Sequence, residues 1–291
     1  MDEKQLFEGI LKGQFHQGGI KCLKLFDVDA HFFEKLKNEA LTFVQQFSPS
    51  DVSQAGHITH WTAPFGKAVQ FSLLNASGKP DDTSTDHNSS TQGKRFHHAT
   101  SYPTLAQWIS FFPHAINMRL NGMGQKSGLS PHEERILNKD PKAKKKYLKV
   151  RFHLPLQTNP QAHVLMDGEL FHFEAGSIYY FNNGTVHSAR NLGQEMRFHL
   201  VWDMLLTKET FELMFLKTTA PNMFTPRKDQ AQEVRPVGEV AVTSYQTTGR
   251  VQKWFDLCRL DRIYLKPYQV QNVVNWMMRH LPQHVEFSDL R

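Results

Sequence analysis

Cysteine is scarce in this chain: two among 291 residues, Cys22 and Cys258, far apart and in no CxxC or zinc-ribbon spacing. That excludes a disulfide-stapled secreted scaffold and points to a reducing, intracellular setting. Long hydrophobic runs are also lacking. No stretch of roughly 18 apolar residues occurs anywhere, so no membrane span is expected. The opening segment, MDEKQLFEGILKGQF, carries acids where a signal peptide needs bases. A cytoplasmic protein is the expectation.

What the chain does have is material for a core. Apolar residues make up 40%, aromatics 12%, and there are 22 Phe, enough for one sizeable folded domain with or without a smaller appendage. The net charge is +6. Much of that excess sits in one run, Lys139, Lys142, Lys144, Lys145, Lys146 and Lys149. Such a run is ordinarily a solvated loop, and no nucleic-acid partner is expected from it. Sixteen histidines are the greater anomaly, because several stand at ordered spacings.

Along the chain the character changes twice. Asp27 or Asp29 is placed to cap a helix reaching about Phe47, in which Phe33, Leu36, Ala40, Phe43, Val44 and Phe47 recur at three- and four-residue steps. Residues 75–100 turn polar, which predicts a mobile loop or a segment that orders on binding. A helix is expected around Leu105–Phe112. Between Ile116 and Leu205 short β-type runs alternate with turns: INMRLN, KYLKVRFHLPLQT, HVLM, ELFHFEAG, SIYYFNN, TVHSARN and MRFHLVWDML. Beyond Leu205 a short helix over Lys208–Leu216 and two amphipathic helices, Val251–Leu260 and Tyr268–Leu281, are predicted. The reading is a mainly β core of double-stranded β-helix, jelly-roll or cupin-like type with flanking α-helices. It divides into a helical or mixed region 1–115, with its polar loop at about 75–100, a double-stranded β-helix core 116–206, and a helical region 207–291 suited to substrate recognition or to a homodimer contact.

The chemistry sits on the β runs. Alternation places Arg151, His153 and Pro155 on one face of their strand, against Val150, Phe152, Leu154 and Leu156 on the other. The run after Met196 repeats the device, with Arg197, His199 and Asp203 facing away from Phe198, Leu200 and Trp202. Upstream, Pro131-His132-Glu133-Glu134 holds a His-x-Glu whose two side chains point the same way on an extended segment. His187, 55 residues further on, completes two imidazoles and a carboxylate, a facial set that leaves three adjacent positions open on Fe(II). One carboxylate on a divalent ion leaves a net positive charge, ready for a keto-acid that chelates through its 1-carboxylate and 2-oxo group, and the open positions suit chemistry with O2. The far carboxylate of that ligand needs a cation in the pocket, and Arg197 is placed to supply a two-pronged guanidinium contact.

The stretch from about Arg119 to Asp203 resembles the aspartyl/asparaginyl β-hydroxylase family of Fe(II)/2-oxoglutarate oxygenases. The matching pieces are PHEE, RFHLPL and GSIYYFNNGTVHSARNLGQEMRFHLVWD. The resemblance implies His132 and His187 as iron ligands, Arg151 and His153 as co-substrate contacts, and Arg197 as the clamp on the distal carboxylate. It departs from the family at Glu134, where members with a third ligand carry Asp. It implies a dioxygenase that hydroxylates an aliphatic C–H of an amino acid, an amino-acid derivative or a peptide residue, releasing succinate and CO2. Halogenation would require the carboxylate to be missing, which Glu134 opposes. A cupin-like metal protein without oxygen chemistry, an isomerase or a sensor, is the competing reading and would have no use for Arg197. Arg119, Asn121 and His172 are expected to line the substrate opening. His163 and His199 read as ordinary surface or core imidazoles.

Overall fold

Asp29 starts the longest helix among the described residues of the computed structural model. Its carboxylate accepts from the backbone N–H of His31 and Phe32, both at 3.0 Å, so two of the four donors that a helix start leaves unpaired are satisfied. The helix runs Ala30–Gln46 and buries Phe32, Phe33, Leu36, Ala40 and Phe43 along one side. At Phe47 the backbone turns extended and the helix stops. The structure describes residues 3–14, 19–51, 68–86, 93–112, 114–125, 127–128, 137–139, 146–166, 169–185, 187–216, 222–225 and 231–239. Among them no helix is long and apolar enough to cross a membrane. The predicted helices Val251–Leu260 and Tyr268–Leu281 lie outside the described residues.

In chain order the elements are α1 (Glu3–Gln14), β1 (Cys22–Asp27), α2 (Ala30–Gln46), β2 (Ser50–Asp51), β3 (Ala68–Ser72) and α3 (Pro103–Phe111). They continue with β4 (Ala115–Met123), β5 (Ser127–Gly128), β6 (Leu137–Lys139), β7 (Lys146–Gln157), β8 (Ala162–Met166) and β9 (Glu169–Phe171). Then come β10 (Ser177–Phe181), β11 (His187–Asn191), β12 (Arg197–Leu205), α4 (Lys208–Phe211) with a π-helical turn over Glu212–Leu216, β13 (Gln232–Glu233) and β14 (Gly238–Glu239). Every strand pairing among the described residues is antiparallel. The larger sheet has the order β13-β1-β10-β7-β12-β4-β3-β2, with β6 hairpinned onto β7, and the smaller is β14-β9-β8-β11-β5. Two antiparallel sheets with helices outside are the expected double-stranded β-helix core.

The period-2 pattern of β7 and β12 decides which face goes where. Val150, Phe152, Leu154, Leu156, Leu200 and Trp202 are fully buried in a large core shared with α1, α2, α3 and the π turn. Trp202 packs edge-on against Trp108 of α3 at 5.7 Å and beside Phe112 at 4.7 Å. The opposite face of the larger sheet looks toward the smaller sheet. There Cys22, Tyr179 and Phe181 meet Val164, Met166, Phe171 and Phe173 in a second, smaller cluster. Polar side chains on that inner face therefore lie between two sheets rather than in water.

Three features depart from the sequence reading. The core sheet does not begin at residue 116: β1 pairs with β10 and β3 with β4, so strands from the first third of the chain complete it. Nor does it end at 206, since β13 pairs with β1 and β14 with β9. The polar segment 75–100 is not a free loop where it is described. Asn75 and Asp86 are buried, and Asp86 accepts from Gln70 Nε2 at 2.8 Å and Ser72 Oγ at 2.6 Å. Polar composition signals exposure only when the groups lack partners inside the protein, and here β3 and β4 supply them. Last, Lys149 of the lysine run is not solvated: it stands on β7, 7% exposed, with Nζ 3.4 Å from Asp203.

Candidate active site

The register of the larger sheet sets the site. Across β12 and β7, Val201 faces His153 and Asp203 faces Arg151, while across β12 and β4 His199 faces Asn121 and Val201 faces Arg119. All these polar side chains belong to the inner face. A cavity of about 70 Å³ opens between the sheets, lined by Gln70, Asn121, Arg151, His153, His187 and Arg197 among others. A water needs roughly 10–15 Å³ of such space, so the cavity takes several waters or one small organic anion. Of the residues expected to contribute, His187, Arg197, Arg151, His153 and Asn121 are thus brought together. His132 and Glu134 lie outside the described residues. Among the described residues no three His, Cys, Asp or Glu side chains group into a metal-binding set.

His187 opens β11, directly after the turn at Asn182–Thr185. Its Nδ1 donates to the Thr185 carbonyl at 2.7 Å, since a carbonyl can only accept. This fixes the tautomer that keeps the lone pair on Nε2, the form a metal-ligating imidazole takes when its other nitrogen is held by a backbone carbonyl. Phe181 stands edge-on to the ring at 4.8 Å and orients it. The chemistry of this donor fits a divalent iron; Fe(II) would be held here by His187 together with the two residues outside the described set.

Asn191, at the far end of β11, ties that strand to the rest of the site. Its Nδ2 reaches the carbonyls of Met123 at 3.0 Å, Gly124 at 3.1 Å and Glu195 at 2.7 Å. Its Oδ1 accepts from Gly193 N at 3.1 Å and from Asn159 Nδ2 at 3.0 Å. The smaller sheet is so pinned to the end of β4 and the start of β12, which sets His187 relative to Arg197. The sequence signal for this role was present in the His-x-x-x-Asn spacing.

Arg197 is 5% exposed, and among the described residues no carboxylate pairs with it. Its Nη2 donates to His199 Nδ1 at 2.9 Å. Burial pulls its pKa down to about 9, the sign of a guanidinium held where charge is poorly solvated. His153 and His199 are held well below the ordinary imidazole value, first by burial and then by Arg197 nearby, so both are neutral. A buried cation flanked by neutral imidazoles is an environment that favours a negatively charged partner.

Arg151 is placed differently from expectation. It lines the cavity, yet its Nε donates to Asp203 Oδ1 at 2.7 Å and its Nη2 to Oδ2 at 2.9 Å. That bidentate pair claims the fork expected to contact the co-substrate, because the β7–β12 register sets the two residues directly opposite. Asp203 also takes Arg119 Nη2 at 3.3 Å, Lys149 Nζ at 3.4 Å and Asn117 Nδ2 at 2.9 Å. Burial alone would raise its pKa, but Arg151, Lys149 and Arg119 hold it well below the carboxylate range. Arg119 and His172 do not line the cavity: Arg119 is committed to Asp203, and His172 Nδ1 lies 2.9 Å from the Ala162 carbonyl on the smaller sheet.

Asp86 adds a titrating group behind Gln70. Burial, with Asp203 adding to it, raises its pKa to about 6, against the pull of Arg119, Ser72 and Lys94. A raised carboxyl contributes stability that is full below the ordinary value of 3.8 and is lost as the pH rises through about 6. Asp86→Asn is therefore expected to gain stability relative to the unmutated chain between about pH 4 and pH 7, by on the order of 1–2 kcal/mol. Urea midpoints across that range check it, and parallel pH curves for the two proteins would refute the assignment.

Two antiparallel sheets facing each other across a cavity lined by Arg151, His153, His187 and Arg197 define a double-stranded β-helix protein with a polar pocket between its sheets. The family resemblance is borne out: residues 83–206 match the model of the Aspartyl/Asparaginyl beta-hydroxylase family. Among solved structures the chain is similar to a Pseudomonas putida prolyl-4-hydroxylase, at 12% identity over 63% of this chain and 91% of that one, with a TM-score of 0.37. It is also similar to a Trichoplax adhaerens prolyl hydroxylase in complex with a hypoxia inducible factor peptide fragment, at 11% identity, 71% and 92% coverage and a TM-score of 0.40. A third is an oxidoreductase of the 2OG-Fe(II) oxygenase family from Burkholderia pseudomallei, at 13% identity, 60% and 79% coverage and a TM-score of 0.33. No curated protein matches the sequence.

Proposed function

We propose that this chain is an Fe(II)/2-oxoglutarate-dependent dioxygenase that hydroxylates an aliphatic C–H of an amino acid, an amino-acid derivative or a peptide residue. The observation that carries the reading is Arg197, a guanidinium buried beside the cavity with no carboxylate against it among the described residues. Leaving such a charge uncompensated is costly, so a carboxylate ligand is the natural occupant. The family match over residues 83–206 supports the same chemistry. When bound, iron supplies oxidative decarboxylation of 2-oxoglutarate to succinate and CO2, coupled to hydroxylation of the substrate.

The chain's own groups divide the remaining work. His132, Glu134 and His187 would hold the metal, with the Thr185 carbonyl keeping His187 in the tautomer that leaves Nε2 free to ligate. Arg197 clamps the distal carboxylate of 2-oxoglutarate, and His153 borders the same ligand from β7. Arg151, tied to Asp203, shapes the wall and contributes positive potential rather than a free fork. Phe181 and Val164 exclude water from the apolar side. A cytoplasmic setting belongs to the same reading, on the scarcity of cysteine.

Anaerobic addition of Fe(II) and 2-oxoglutarate should give a visible metal-to-ligand charge-transfer band, and aerobic incubation with amino acids or short peptides should give succinate. Absence of both would sink the proposal. Replacing Arg197 by Ala should raise the 2-oxoglutarate requirement about 10- to 100-fold, the loss of charged hydrogen bonds worth about 1.5–3 kcal/mol. The melting temperature should hold, because the variant also sheds a desolvated cation. A large drop in melting temperature with an unchanged requirement would mean that Arg197 is structural.

A further inference from the structure

His199 is a buried polar residue that the proposed reaction does not use. It is 1% exposed, stands on β12 two residues beyond Arg197, and does not itself line the cavity. Its ring is stacked loosely on Phe173, with centroids 6.5 Å apart and planes inclined by 23°. Its Nδ1 receives the Arg197 Nη2–H at 2.9 Å. A guanidinium has no acceptor atom, so this bond requires a lone pair on His199 Nδ1 and puts the ring hydrogen on Nε2. The same Nδ1 lies 3.3 Å from Nδ1 of His153, with the two rings at 84°. His199 Nδ1 carries no hydrogen, so any hydrogen in that contact comes from His153 Nδ1, which then shares the one lone pair with Arg197 as the longer, weaker arm of a bifurcated bond.

We infer that His199 is a positioning residue for the anion clamp: through its Nδ1 lone pair it aims the Arg197 guanidinium at the cavity and ties it to His153 on the neighbouring strand. The inference rests on the 2-oxoglutarate reading of the site. Its physical basis is the geometry of a fork. Arg197 is a long side chain with several rotamers, and a two-pronged contact with a carboxylate is strong only when the guanidinium plane is preset. A neutral imidazole serves this better than a carboxylate. It accepts one hydrogen bond while leaving the positive charge uncancelled for the ligand, whereas an Asp or Glu there would neutralise the clamp. Burial and the adjacent Arg197 keep His199 in that neutral form. The His153 contact extends the same constraint to β7, so two residues bordering the cavity share one anchor behind it.

The test uses the full chain loaded with Mn(II) as a redox-inert metal and measures binding of two probes by calorimetry. One probe is 2-oxoglutarate; the other is pyruvate, which keeps the 2-oxo acid head and lacks the distal carboxylate. His199→Leu should weaken 2-oxoglutarate binding about tenfold or more, the loss expected when a charge-assisted contact is misaligned, while pyruvate shifts by less than about twofold. His199→Asn places an acceptor oxygen at the position of Nδ1 and should restore most of the 2-oxoglutarate affinity. His199→Gln, whose acceptor lies one bond further out, should not. Equal weakening toward both probes, or Asn behaving like Leu, would overturn the assignment and leave His199 as packing. If the Leu variant does not fold, the Asn-against-Gln difference decides alone. Should the unmutated chain bind 2-oxoglutarate no better than pyruvate, the clamp role of Arg197 fails first and takes this inference with it.

Discussion

Asp203→Ala is expected to cost about 3–5 kcal/mol of folding free energy, the penalty of stripping the partner from a buried ion pair. The reason lies in what surrounds the carboxylate. Asp203 is 1% exposed and is the shared partner of Arg151, Arg119 and Lys149, all on the inner face of the larger sheet. Removing it leaves three cations close together in a poorly solvated space, with mutual repulsion added to lost hydrogen bonds. Domains of this kind are stable by about 5–15 kcal/mol, so the variant should be marginal or insoluble. Asp203→Asn keeps the volume and one acceptor and should lose less, while still losing the charge. Chemical denaturation of both variants checks the order. A cost near zero for Asp203→Ala would mean that water or other groups compensate the cations. The pH dependence has a definite sign: a carboxyl held below its ordinary value contributes stability present above about pH 4 and lost only as the solution becomes strongly acidic.

His187→Ala is expected to take turnover below detection and to remove the charge-transfer band while leaving the fold nearly intact. The imidazole borders a cavity, so its truncation enlarges an existing space rather than opening one in the packed core, at a cost of about 1 kcal/mol. Metal content after dialysis should fall in parallel, because one of three ligands is gone. His187→Gln offers an amide in place of the imidazole and should bind metal weakly if at all. Full activity in His187→Ala would overturn the ligand assignment, and with it the placement of the iron at the head of β11. A variant that loses activity but keeps metal would instead point to His187 acting on the substrate.

Asp203 and His187 also mark how far a sequence can be read. The inner and outer faces of β7 and β12 follow from alternation alone, since side chains on a strand must point to opposite sides. The start of α2 follows from Asp29 standing before a helical apolar repeat, and the structure has Asp29 in that role. Arg197 as an inward cation and the His187 to Arg197 spacing belong to the same class of local, periodic information. Three things were not legible. Residues 75–86 look too polar to fold, yet Asp86 and Asn75 are buried because β3 and β4 carry their partners. Lys149 looks like part of a solvated run, yet it is drawn inward by Asp203, 54 positions away in sequence.

His199, set aside in the sequence as an ordinary imidazole, became an anchor only once Arg197 and His153 were seen around it. By itself the sequence determined which side chains share a face, where the main helices begin, and which residue types are available for iron and a carboxylate ligand. The tertiary structure decided who pairs with whom: that Arg151 goes to Asp203, that Arg197 has no carboxylate among the described residues, and that β1 and β3 close the sheet. The physical reason is range. Periodicity and capping act over a few residues and are written in neighbouring letters, whereas register, burial and charge pairing join residues tens of positions apart and exist only after the sheets have closed.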